Sequence, residues 1–294
     1  MREAGHPCPD SEGILLMHFC RIIRHICNLE TDRRENMDDK DVIELNRVAW
    51  DKRVTDGSEW TICVSSEVIE LARKGVFNIK LTSRKPVPQD WFPIDIKGQT
   101  VLCLACGGGQ QAPVLSAIGA NVTVLDISDL QLKQDEFVAH RDNLDLKTVQ
   151  GDMCDLSRFD DETFDIVFNP VSNTYIPDVT PVWRECYRVL KKGGILLTGS
   201  SNPYIYIFND EKWNVGILEV SNKLPFNSLD ELDEKGRKEF LENGNAIEYS
   251  HTLEELIGGQ VSAGFLINGF YEDIDSDFIC DYAPKYFATR AIKL

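Results

Sequence analysis

"TVLCLACGGGQQ", residues 100–111, decides the fold. Its first six residues make a mostly apolar run of strand length. A cysteine and three glycines follow, and the chain then turns polar. Gly107 and Gly109 permit a tight turn and let the backbone approach a ligand with no Cβ in the way. A second run, "NVTVLD" (121–126), ends on Asp126, nineteen residues after Gly107. A carboxylate there can accept both hydroxyls of a ribose. Strand, glycine turn, helix, strand and acid together lead us to expect a nucleoside-binding half-sheet. On the turn alone a dinucleotide and another adenosine ligand stay open, because a pyrophosphate also rests on a helix N-terminus. A tight turn that binds nothing is the plain alternative.

The alternation continues downstream. A helix is expected over 110–120, with Gly119 near its end. Ser128 and Gln131 have capping-box spacing and open a helix to about His140, which reads as a solvated helix end. "LKTVQ" (146–150) and "FDIVFN" (164–169) read as strands, the second stopped by Pro170. Residues 178–192 read as a helix and "GGILLTGS" (193–200) as a strand. Strands that alternate with helices imply an α/β fold, with a mostly parallel sheet and helices on both faces.

After Ser200 the rhythm breaks. Residues 201–250 are rich in aromatic and acidic residues and read as a lid-like insertion. Thr252 and Glu255 form a second capping box, opening a helix to about Ala263. "GFLINGFYE" (264–272) and "YFATRAIKL" (286–294) close the chain as two strands. The main domain is thus expected over 98–294, after a helical cap at 37–97. Residues 1–36 differ from the rest of the chain and are expected to be a loosely attached extension, with Met37 a natural start of the helical part.

Composition bounds the function. The chain has 294 residues, 43% hydrophobic and 27% charged, with a mean hydropathy of −0.24, as in an ordinary globular protein. A net charge of −17 disfavours nucleic acid and anionic membranes as partners. Nine cysteines at scattered spacing form no disulfide framework, so reduced thiols and a cytoplasmic location are expected. "GILLMHFCRIIRHIC" (13–27) is too short and too charged to span a bilayer and has no following cleavage site; an amphipathic helix is expected. Cys103 and Cys106 make a Cys-x-x-Cys pair, but no second pair completes a zinc site. We read them as a buried side chain and a turn residue, and expect no metal.

From these motifs the chain resembles the class I S-adenosylmethionine-dependent methyltransferases, over roughly 98–200 and more loosely 251–294. "VLCLACGGGQ" resembles the family's first motif, "VTVLDIS" the second, "VQGDMCDL" the third, and "FDIVFNPVSNTYIPD" the fourth strand and its loop. "VWRECYRVLKKGGILLTG" is similar to the helix, basic turn and fifth strand of its small-molecule members. The resemblance implies a Rossmann-like seven-stranded sheet whose last strand runs antiparallel beside the fifth. It implies S-adenosylmethionine as cofactor, held by Ala105, Cys106, Gly107, Gly109, Asp126, Ile127, Asp152, Met153 and Asn169. Asp126 would take the ribose, Ile127 and Met153 would flank the adenine, and Asp152 would meet its amino group. Two departures matter: the family often has an acid at Cys103 and a glycine at Ala105.

Methyl transfer to an excellent leaving group rests largely on proximity and orientation, and a base is needed only if the acceptor must lose a proton. No catalytic triad is visible. Asn169, followed by Pro170, Val171 and Ser172, matches in part the Asn-Pro-Pro-aromatic motif of some amine methyltransferases. Tyr175 is a candidate pocket residue, and His251 a candidate base; both have ordinary packing or flanking roles as alternatives. Trp50 and Trp60 are candidates to shield the sulfonium, and Tyr204, Tyr206, Phe208 and Trp213 to build an acceptor pocket. The expected partner is a small-molecule methyl acceptor. A non-catalytic S-adenosylmethionine binder and an NAD-dependent oxidoreductase, with a parallel sixth strand, are the alternatives.

Overall fold

The computed structural model describes residues 39–230 and 232–294. The expected extension at 1–36 and the amphipathic helix at 13–27 lie outside the described residues. Packing divides the chain into two compact units, residues 1–42 and 43–294. Of the first, only 39–42 are described, as the opening of a helix. The second contains the whole sheet.

Seven strands form that sheet in the order β3-β2-β1-β4-β5-β7-β6. They are β1 (Thr100–Leu104), β2 (Asn121–Asp126), β3 (Leu146–Gln150), β4 (Phe164–Asn169), β5 (Leu190–Ser201), β6 (Phe265–Asp273) and β7 (Tyr286–Lys293). The first five pair in parallel, and β7 enters antiparallel between β5 and β6. The strand order reverses between β1 and β4. The crevice beyond the carboxyl ends of strands at such a reversal is where open α/β sheets bind ligands.

Side-chain alternation along β1 divides the core in two. Val101 and Cys103 face one cluster, with Val122, Val124, Ile166 and Phe168. On that cluster lie α2 (Ser66–Arg73), α3 (Gln111–Ala117) and α4 (Asp129–Asp142), through Ile69, Leu115 and Leu132. Leu102 and Leu104 face the other cluster, with Val167 and Leu196. There α5 (Thr180–Val189) contributes Val182, Trp183 and Cys186 at helical spacing. Trp183 is fully buried, worth roughly 3 kcal/mol in apolar transfer. Its Nε1–H donates to Glu255 O at 2.9 Å, tying α5 to the helical segment 254–262. Helices therefore cover both faces, as the alternation required.

Local chemistry shifts several expected boundaries. β1 ends at Leu104 because Ala105 turns into the left-handed region, at φ +47°. The helix expected at 178–192 gives way to β5 at Leu190, whose pairing with Phe164 precedes a bulge. The Thr252 box forms in full: Glu255 N–H donates to Thr252 Oγ1 at 3.1 Å and Thr252 N–H to Glu255 Oε2 at 2.8 Å. At α4 only half forms. Gln131 N–H donates to Ser128 Oγ, but Ser128 N–H donates to Asp126 Oδ1 at 2.9 Å. A carboxylate is a stronger acceptor than an amide oxygen, and it sits two residues upstream.

Residues 43–97 belong to the same compact unit as the sheet. From α1 (Asp39–Thr55), Asp51 Oδ1 accepts from Ser128 Oγ at 2.6 Å, at the start of α4. Asn46 is completely buried in the same helix. Its Nδ2 donates to Tyr175 O at 2.9 Å and to Ile247 O at 3.0 Å, while its Oδ1 accepts from Ile247 N–H at 2.7 Å. No helix among the described residues is long and apolar enough to cross a membrane.

Candidate functional site

A cavity of about 1210 Å³ opens at the carboxyl ends of β1, β2 and β4. Single small-molecule pockets run to about 1,000 Å³, so this one has room for two ligands. Ala105, Cys106 and Gly107 line one end with Asp126, Ile127, Asp152 and Met153. Trp50, Tyr175, Tyr206, Trp213, Phe226, Glu248 and Tyr286 line another part.

The turn and the acid form one hydrogen-bonded unit. Gly107 N–H donates to Asp126 Oδ2 at 2.9 Å, and Ser128 N–H holds Oδ1. A Cβ on Gly107 would lie 2.7 Å from Gln131 Cβ and 3.0 Å from Asp126 Oδ2, so only glycine fits this approach. Asp126 is 9% exposed. Burial pushes its carboxyl up to about 6, against the backbone amides of Ser128, Gly107 and Ile127, which lower it. Each oxygen keeps capacity for a further donor. Ile127 and Met153 supply apolar contact beside it, and Asp152 Oδ1 accepts from Cys154 N–H at 2.9 Å.

Three expected site residues are not brought to the cavity. Gly109, at φ +70°, packs beneath the turn, where a Cβ would meet Cys63 Sγ at 2.7 Å. Asn169 is fully buried: it donates to Leu104 O at 3.0 Å and to Ser172 Oγ at 2.8 Å, and accepts from Thr198 Oγ1 at 2.9 Å. It splices β1, β4 and β5 behind the cavity wall. His251 is buried, and its Nε2 lies 2.8 Å from Asn173 O. Burial lowers its pKa, which favours the neutral ring. Of the aromatic candidates, Trp50, Trp60, Tyr175, Tyr206 and Trp213 line the cavity, whereas Tyr204 donates to Pro284 O and Phe208 packs on Trp213.

Several residues at the site escaped sequence reasoning. Asp135, fully buried in α4, accepts from Gly108 N–H at 3.1 Å. Burial holds its carboxyl well above the usual range. It gives the glycine turn a second carboxylic acid where β1 carries Cys103. Gln131 lines the cavity over Gly107 and Gly108, with its Oε1 buried and unpartnered. Arg53 Nη1 donates to Tyr175 Oη at 3.2 Å, with its guanidinium 4.4 Å from the Trp50 ring centre. Helical spacing does put Trp50 and Arg53 on one face, the only signal available.

Known proteins resemble this chain in sequence and in fold. The family described as "Methyltransferase domain" matches residues 102–198. An uncharacterized methyltransferase, YbaJ of Bacillus subtilis (strain 168), is 49% identical over 253 residues, 86% of this chain and 99% of that protein. A sterol 24-C-methyltransferase, erg6 of Aspergillus fumigatus, is 34% identical over 102 residues, and the chain spans only 27% of its length. Among solved structures, an S-adenosylmethionine-dependent methyltransferase from Mesorhizobium loti superposes with a TM-score of 0.54 at 18% identity, covering 69% of this chain and 94% of that one. A second, from Methanosarcina mazei, gives 0.52 at 20% identity, over 72% and 99%. With the sheet order, the antiparallel β7 and the placement of Asp126 against the glycine turn, these matches settle the family: the chain belongs to the class I S-adenosylmethionine-dependent methyltransferases.

Proposed function

We propose that the protein methylates a small molecule held at the aromatic part of the cavity, with the cofactor at the glycine turn. The observation that carries this reading is the continuity of one cavity from Gly107 and Asp126 to Tyr206 and Glu248. The residues at the turn fit the cofactor. Gln131 presents a buried, unpartnered Oε1 beside the turn, and Asp126 offers a buried acceptor pair for the ribose hydroxyls. Ile127 and Met153 offer flat apolar contact for adenine, and Asp152 an acceptor for its amino group. Ala105 contributes its carbonyl, and Cys106 and Gly107 their backbone. When bound, S-adenosylmethionine supplies a methyl group on a sulfonium carbon.

The chain's own part is positioning and exclusion of water. Trp50 and Trp60 wall the cavity, and aromatic faces favour a cationic ligand. Asn169 and Gly109 act from behind, by fixing the wall and the turn. His251, buried against Asn173, supports a neighbouring wall segment in this reading. The acidic surface, at net charge −17, supports a small acceptor over nucleic acid, and a cytoplasmic location accords with the free cysteines. The test is transfer of a labelled methyl group to a cell extract split by size. Label is expected in the small-molecule fraction, the class of ligand that a pocket of this volume takes. Label only in protein or nucleic acid, or none at all with the cofactor bound, would contradict the reading.

A further inference from the structure

The acceptor part of the cavity has a specific chemistry. Apart from Asp126 and Asp152 at the glycine turn, the carboxylates Glu59, Glu248, Asp275 and Asp277 line the cavity, with the cations Arg53, Lys80 and Lys285. The cations already have partners. Lys285 pairs with Asp277, Arg53 donates to Tyr175, and Lys80 Nζ donates to Ser83 O. Among the described residues, no histidine lines the cavity.

Glu248 stands among aromatic rings. Tyr206 Oη donates to its Oε2 at 3.2 Å, and the Tyr206 ring stacks on Phe226 with centres 5.5 Å apart. Burial first, and then the Glu248 charge, raise the pKa of both Tyr206 and Tyr175. Glu248 and Tyr175 both line the cavity, and Tyr206 is hydrogen-bonded to Glu248. Its neighbour Ile247 is clamped from both sides by the buried Asn46, which also holds Tyr175 O. Glu248 and Tyr175 are thus fixed by one side chain behind the wall, which preorganises them.

The cavity also shows how it treats an amine. The Lys285 ammonium lies 5.7 Å from the Trp213 ring centre and 5.5 Å from that of Tyr286. Arg53 lies over Trp50 and Tyr175. Aromatic faces beside a carboxylate favour a cation; an anionic acceptor would face the excess negative charge.

We propose that the acceptor is a small amine, bound as its ammonium ion against Glu248 within the ring formed by Tyr175, Tyr206 and Phe226. This rests on the methyltransferase reading above and names its substrate class. An ammonium nitrogen has no lone pair, so transfer first needs a base. Glu248 takes one proton from it. The freed lone pair then forms the N–C bond as the S–C bond breaks. The S–C electron pair stays on sulfur, and the positive charge passes to nitrogen. Glu248 afterwards releases its proton to solvent.

The test is calorimetric titration of the full chain saturated with S-adenosylhomocysteine. The probes are benzylamine, cyclohexylamine and 1,4-diaminobutane, each beside its alcohol: benzyl alcohol, cyclohexanol and 1,4-butanediol. At least one amine is expected to bind roughly tenfold tighter than its alcohol. Glu248→Gln is expected to abolish that preference while S-adenosylhomocysteine still binds. Equal binding of every amine and alcohol, or no amine binding, would overturn the proposal, as would a preference that survives in Glu248→Gln. The wild-type comparison decides even where the variant does not fold. Failure of S-adenosylhomocysteine to bind at all would instead strike the cofactor reading.

Discussion

Asp126 Oδ2 accepts the amide hydrogen of Gly107 at 2.9 Å, which joins the acid that ends β2 directly to the turn after β1. The same closeness leaves no space for a side chain. In Gly107→Ala the new Cβ would meet Gln131 Cβ at 2.7 Å, and Gln131 is itself packed. Such overpacking costs about 1–3 kcal/mol. We expect a lower Tm together with a loss of S-adenosylhomocysteine affinity, measured by thermal unfolding and calorimetry. Unchanged affinity would show that the turn is not at the ligand.

The Asp126 carboxyl titrates near 6, above its ordinary value, chiefly through burial. A raised carboxyl pKa means that the native state holds its proton more tightly than the unfolded state. Stability from this group is complete below about pH 4 and is lost as pH rises to about 6. The loss amounts to about 3 kcal/mol at most. In Asp126→Asn that part of the pH dependence should vanish from denaturant unfolding between pH 4 and 6. Cofactor binding runs the other way. The ribose hydroxyls need the ionised acceptor, so affinity should weaken as pH falls below about 6.

Ala105 holds φ +47°, a region that costs a non-glycine residue about 1–2 kcal/mol. Ala105→Gly relieves this but frees the unfolded chain, which offsets about 0.4–1 kcal/mol. The variant should be as stable as the wild type or up to about 1.6 kcal/mol more so. A clear loss in chemical denaturation would mean that the Ala105 methyl contributes packing that outweighs its strain.

Asn46 joins α1 to the segments that carry Tyr175 and Glu248. In Asn46→Ala, Tyr175 O, Ile247 O and Ile247 N–H lose their partner, at about 1–3 kcal/mol for each group left unsatisfied. The Tm should fall. The KM for the acceptor should rise, while S-adenosylhomocysteine affinity stays the same, because Asp126 and Gly107 do not touch this clamp. Equal loss at both ligands would show that the two halves of the cavity are not separable.

The parallel part of the sheet was legible because strand and helix periods differ, and because β2 ends on an acid, β3 before a glycine and β4 before a proline. Asp126 could be placed because its spacing from the glycine turn is a property of one local unit. Of the cavity's second part, Tyr175, Tyr206 and Trp213 could be named from the sequence, but Asn46 and Glu248 could not. Asn46 and Glu248 are more than two hundred positions apart in the chain, and no local period links them. Asn169 and His251 carry the chemistry of site residues, and the structure buries both, with Asn169 hydrogen-bonded to Leu104 O and His251 to Asn173 O. Asp135 was hidden for the opposite reason: a helical aspartate reads as solvated, yet it points beneath Gly108.

The most direct test of the central claim is calorimetric titration with S-adenosylhomocysteine and with NADH, on the wild type and on Asp126→Ala. The account predicts that the wild type binds S-adenosylhomocysteine and not NADH, and that Asp126→Ala binds it more weakly. Binding of NADH alone, or S-adenosylhomocysteine affinity indifferent to Asp126, would contradict it.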